Sequence, residues 1–135
     1  MPVDYKIIQA KDFITVTPTG EIDLKESKKV LGQLADMLGL TGNYELLMDM
    51  REAHSNMQQA ELEELVRELV RHKDVFLNKI AVIARDDEQF SKAVFVEICA
   101  NIDGLTVLAF TDYEQAINWI QSEGGLDNLW DESRG

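Results

Sequence analysis

Hydrophobic and polar positions follow two rhythms along the chain. The first is extended. Tyr5 to Gln9 reads as a short strand, Ala10-Lys11-Asp12 as a turn, and Phe13 to Thr17 as a second strand rich in β-branched residues. Pro18 has no N–H, so it belongs at a bulge or beside an unpaired edge, and Gly20 bends the chain toward the first helix. The second rhythm is helical. Leu24, Leu31, Leu34, Ala35 and Leu38 share one stripe, with capping-box spacing at Asp23 to Glu26 and a C-terminal cap expected at Gly39. Leu62, Leu65, Val66, Leu69 and Val70 form a stripe with the i, i+3, i+4, i+7, i+8 spacing, opposite Glu63, Glu64, Arg67, Glu68 and Arg71. Ser55 or Asn56, each with Gln three positions on, is the expected cap of that helix.

Tyr44 to Met50, Ile80 to Ala84 and Leu105 to Phe110 are strands of a different kind. The last two are nearly continuous apolar runs, as in parallel strands covered on both faces. Between them lies a helix from about Glu88 to Ile102, ended by Gly104. Thr111 to Glu114 opens a last helix through Ala116, Ile117 and Ile120, ended at Gly124-Gly125. The order is β-β-α-β-α-β-α-β-α. It predicts one α/β domain: a five-stranded, mostly parallel sheet with an N-terminal β-hairpin and four helices, the last four strands mutually parallel. The domain is expected over residues 1–123, with residues 124–135 a short acidic C-terminal tail carrying Leu126, Leu129 and Trp130. Leu65 and Val82 are expected in the core.

Composition narrows the function classes. The chain has 135 residues, enough for one ordinary domain, with 45% apolar and 28% charged residues, a globular balance. Asp and Glu number 25 against 13 Lys and Arg, a net charge of −12. That excess argues against a nucleic-acid groove or an anionic membrane surface. A single cysteine, Cys99, suits a reducing compartment. The N-terminus has no apolar core of signal-peptide length, and no run approaches the roughly 18–20 apolar residues of a membrane helix. A soluble cytoplasmic protein without an integral membrane segment is expected.

In open α/β sheets ligands favour the carboxyl ends of parallel strands. That rule gathers Arg51, His54, Ser55, Arg85 and Asp86 at one end of the sheet, with Asp23 and Thr111 beside them and Phe90 flanking at the start of the third helix. Arginines and helix N-termini there suit an anionic group. The competing reading makes Asp23, Ser55 and Thr111 helix caps and pairs the arginines with nearby carboxylates. His54 beside Ser55 suggests a nucleophile and base, but adjacent side chains seldom aim at each other, so a small hydrolase ranks below the other readings. Two separated histidines and one cysteine lack zinc-ligand spacing, and there is no phosphate-cradling loop or dinucleotide fingerprint. No cofactor and no metal are expected. The third helix is apolar over much of its girth, from Phe90 through Val94, Phe95, Val96 and Ile98 to Ile102. The surplus calls for a neighbouring helix, a second copy or an apolar ligand.

Four segments together resemble a known family: Thr19-Gly20-Glu21-Ile22-Asp23-Leu24, Leu47-Met48-Asp49-Met50-Arg51, Ile80-Ala81-Val82-Ile83-Ala84, and Phe110 through Ile120. They resemble the SpoIIAA-like family over about residues 4–122. Its fold is related to STAS domains and to the lipid-binding SEC14 lobe. The resemblance implies a non-catalytic regulatory or protein-interaction module with a protein partner or a homodimer. Its SEC14 side implies instead a carrier or sensor of a small apolar or lipid-like anionic ligand. STAS antagonists switch partners by phosphorylation of a serine in an Asp-Ser-Ser/Thr-Gly motif. This chain has Arg51-Glu52-Ala53-His54-Ser55-Asn56-Met57 there, with no Asp-Ser pair and no following glycine, and only Ser55 stands near the position.

Overall fold

A computed structural model describes residues 4–9, 13–41 and 44–122. Among them the elements are β1 (Asp4–Gln9), β2 (Phe13–Ile22), α1 (Leu24–Thr41), β3 (Glu45–Asp49), β4 (Ala53–Ser55), α2 (Gln59–Arg71), β5 (Ile80–Ile83), α3 (Asp87–Ile102), β6 (Val107–Phe110) and α4 (Tyr113–Gln121). The main sheet has the order β1-β2-β3-β5-β6. Strands β2, β3, β5 and β6 are mutually parallel, and β1 runs antiparallel to β2 with Asp4 opposite Thr19. The turn expected at residues 10–12 and the tail expected at 124–135 lie outside the described residues.

Strand alternation divides the core in two. Ile14, Val16, Leu46, Ile80 and Val107 face α1, α2 and α3, where Val30, Leu34, Leu38, Val66 and Leu69 cover them. Leu47, Ala81, Ile83, Leu108 and Phe110 face the opposite side, under Ala116, Trp119 and Ile120 of α4. One face of the sheet therefore carries three helices and the other carries one.

Several boundaries differ from the sequence reading. Helix α1 runs through Gly39 to Thr41, because a single glycine costs a helix only about 1 kcal/mol when its neighbours are packed. Gln58, not Ser55 or Asn56, precedes α2, and its N–H donates to Glu61 Oε1 at 3.0 Å. Ser55 instead accepts from Met57 N at 3.1 Å, a turn that delays the helix. Asp112, not Thr111, caps α4, accepting from the N–H groups of Glu114 and Gln115. Asp23 does cap α1, accepting from Glu26 N at 2.8 Å.

The sequence reading missed β4. Its three residues pair in parallel with Gly20, Glu21 and Ile22, beyond the point where β3 leaves β2 at Val16. Gly20 makes the exchange of neighbours possible: its φ of +84° is a conformation that side chains with a Cβ rarely adopt. Pro18 falls between the last β3 pair and the first β4 pair, where its missing N–H costs no ladder bond on that side.

Helix α3 covers the outer edge of the sheet as well as its face. Ala93, Glu97 and Ala100 are its buried residues. Glu97, only 7% exposed, accepts from Ala109 N at 2.8 Å. Asn101, one turn on, accepts from Val107 N at 3.0 Å and donates to Val107 O at 3.2 Å. Two strand residues span about 6.6 Å and one helical turn of four about 6 Å, so the two side chains match alternate edge groups of β6. The apolar surplus of α3 is left partly uncovered. Ile98 and Ile102, also one turn apart, are 52% and 79% exposed.

Candidate functional site

The carboxyl end of the sheet holds two clusters, separated by the alternation of β3. On the α4 side, Asp49 and Arg51 form a bidentate pair at 2.9 and 2.8 Å. The guanidinium lies 5.6 Å from the ring centroid of Tyr113. That hydrogen-bonded guanidinium holds the Asp49 carboxyl below the usual aspartate range despite partial burial.

On the other side, three residues of α3 and its entry hold the β3–α2 connection by its carbonyl oxygens. Arg85 Nη1 donates to Arg51 O at 2.9 Å and Ala53 O at 3.0 Å. Gln89 Nε2 donates to Met50 O at 2.7 Å and Ala53 O at 3.2 Å. Lys92 Nζ donates to Ser55 O at 3.0 Å. Asp86 caps α3 by accepting from Gln89 N at 2.9 Å, and that bond, helped by Arg85, draws its carboxyl below the usual range.

The structure thus brings Arg85 and Asp86 together, with Ser55 nearby, but places the Arg51 guanidinium in the other cluster. Arg85 meets Arg51 only at its backbone carbonyl, and the two arginines expected to border one surface do not share it. The arginines are engaged with backbone carbonyls and with carboxylates rather than left open. His54 is exposed, while Ser55 points the other way along β4, toward the helices. Phe90 is half-buried and lies outside the wall of the cavity described next.

Beneath this connection lies a cavity of about 170 Å³, between the sheet and helices α1, α2 and α3. Its floor is Leu46, Met48, Ile80, Val82 and Val107 from three strands, and its roof includes Val30, Leu62, Leu65, Val66 and Val96. The polar residues of the wall are Glu26 and Ser27 in the first turns of α1, Ser55 in β4, and Gln89 and Lys92 in the first turns of α3. All five belong to elements that start or end at the carboxyl end of the sheet. Toward the opposite end, Ile80 and Val107 begin their strands and Leu46 is the second residue of its own. The wall of the cavity is therefore apolar almost throughout, and the few polar groups that touch it lie toward the carboxyl end of the sheet. Leu65 and Val82, expected in the core, are half-buried because they face this space.

Sequence reasoning named Ser55 of this wall but passed over Gln89 and Lys92. The signal was present: Lys92 is the single cation of α3, set between Phe90 and Ala93 in an otherwise apolar stretch.

The family model described as SpoIIAA-like matches residues 13–121. The chain belongs to the SpoIIAA-like family. Among solved structures it is similar to an uncharacterized DUF3478-family protein with a SpoIIAA-like fold from Shewanella loihica PV-4. That match has 16% identity and a TM-score of 0.59, and covers 87% of this chain and 93% of the other. It shows the shared fold. No curated protein matches the sequence. Among the described residues no helix is long and apolar enough to cross a membrane, and no cluster of His, Cys, Asp and Glu suits a metal ion. Burial pushes the Cys99 thiol up, away from the reactive thiolate form.

Proposed function

We propose that this SpoIIAA-like chain is a non-catalytic binding module that takes a small apolar molecule into the cavity under α1, α2 and α3. The observation that carries the reading is the cavity itself: well-packed cores hold few voids larger than a water molecule, and this one has strands for a floor and three helices for a roof. Its size bounds the occupant. An engineered apolar cavity of about 150 Å³ holds benzene, so 170 Å³ suits a body of roughly six to eight carbons. The adjacent His54 and Ser55 lend little to a hydrolase. Ser55 Oγ accepts from the Met57 N–H, and alternation along β4 turns the imidazole away from it, so His54 is not placed to take the hydroxyl proton.

Calorimetric titration with toluene tests the reading. Saturable binding is expected, abolished in Val82→Phe, whose ring fills the middle of the cavity. Absence of saturable heat in the folded wild type would overturn it. The exposed pair Ile98 and Ile102 favours a second reading, a protein-interaction surface on the outside of α3. Sedimentation of the purified protein against Ile102→Lys tests that one. It predicts a concentration-dependent association that the lysine removes, and a monomer at all concentrations contradicts self-association.

A further inference from the structure

Resting on that reading of the cavity, we infer that its ligand is a small monocarboxylate with a compact apolar body, its carboxylate met by Lys92. Four observations converge. First, the wall is apolar almost throughout, and the five polar residues that touch it are gathered toward the carboxyl end of the sheet, so a polar head on the occupant has one end to meet. Second, Lys92 is the one cation of that wall, half-buried and supplied from the roof. Third, its ammonium carries three donors, and the described residues provide one acceptor, the neutral Ser55 carbonyl at 3.0 Å; no carboxylate lies within ion-pair distance of it among them. An ammonium beside apolar surface with donors to spare favours a charge-assisted bond to an anionic acceptor. Fourth, Glu26 stands in the same polar group of residues, on α1. A carboxylate there, in a protein of net charge −12, opposes a second negative charge on the ligand and so favours a monoanion over a phosphate monoester. The arginines expected to meet the anion are occupied elsewhere, Arg51 by Asp49 and Arg85 by the carbonyls of Arg51 and Ala53. The anion-binding role passes to a lysine one turn further into α3.

The test compares 1-octanol, octanoate and octyl phosphate by calorimetry at neutral pH, in the wild type, Lys92→Met and Lys92→Arg. Methionine keeps an apolar stem of similar reach, so the octanol arm reports whether the cavity survives the change. The wild type is expected to bind octanoate about 10-fold or more tighter than Lys92→Met does, while octanol differs by less than about 3-fold between them. Lys92→Arg keeps the preference for octanoate over octanol. Octyl phosphate binds the wild type less tightly than octanoate. If octanol binds and octanoate gains nothing from Lys92, or if octyl phosphate binds tighter than octanoate, the carboxylate assignment is wrong while the cavity reading stands. If none of the three binds the folded wild type, the cavity reading itself fails.

Discussion

Asp49 is half-buried at the end of β3, and its bidentate contact with Arg51 is what favours its ionised form. A carboxyl whose folded pKa lies below its unfolded one adds stability at pH values above the unfolded pKa. That stability is lost as pH falls through the folded value. The pair therefore contributes fully above about pH 4 and progressively less below it. Arg51 is largely exposed, so the contribution is at most about 1 kcal/mol. Urea unfolding of the wild type and Asp49→Asn between pH 6 and pH 2.5 is expected to show a difference that shrinks toward acid; a difference independent of pH would exclude the pair as its source. Core truncation gives a second contrast among single residues. Leu34 is fully buried on the sheet-facing side of α1, and Leu34→Ala is expected to cost about 2–5 kcal/mol in the same unfolding experiment. Leu65→Ala costs less, because that side chain already borders open space and removing it only enlarges the cavity. Equal losses would mean that the space beside Leu65 is filled in solution.

Among the elements, α3 departs furthest from an ordinary amphipathic helix. Its inward stripe is Ala93, Glu97 and Ala100, two small residues and an acid, which lets its backbone approach β6. Glu97 and Asn101 then occupy the hydrogen-bonding positions of a missing seventh strand. Exposed strand edges recruit other chains, and covering an edge with a helix is one way to prevent it. Asn101→Ala is expected to leave the Val107 N–H and C=O without their side-chain partner. The expected loss is about 1–3 kcal/mol in urea unfolding, with added self-association by light scattering. Stability within 0.5 kcal/mol of the wild type, in roughly the range of surface substitutions, with no added association would show that the edge needs no cover. This device also explains what the sequence made legible. The long apolar runs of β5 and β6 and the even stripe of α2 announced themselves, because the period of each is local. Strand β4 did not: Ala53-His54-Ser55 has no β-branched residue, and the groups that hold it, at Gly20 and Arg85, lie more than thirty residues away in either direction. The caps moved by one to three residues wherever a neighbouring Ser, Asp or Gln offered an equivalent oxygen, as at Gln58 and Asp112.

For the whole molecule, the alternation of strand and helix was enough to predict a mostly parallel sheet with four helices, and the family match over residues 13–121 agrees with that architecture, but the division of three helices to one face and one to the other was not legible. A cavity is a different kind of property. It is the space left when Val30, Leu65, Val82 and Val96, each an unremarkable apolar residue, fail to meet, and no local pattern records such a failure. Its one trace in the sequence was the excess apolarity of α3 around a lone lysine. If the chain is a binding module, this space persists in the folded protein and admits an apolar guest. Crystals of the protein pressurised with xenon test it most directly, because xenon enters apolar cavities without needing a specific contact. An ordered xenon site is expected between the sheet and α1–α3, bordered by Met48, Val66, Val82 and Val96, and lost in Val82→Phe. Side chains closed across that space, with no xenon there, would contradict it.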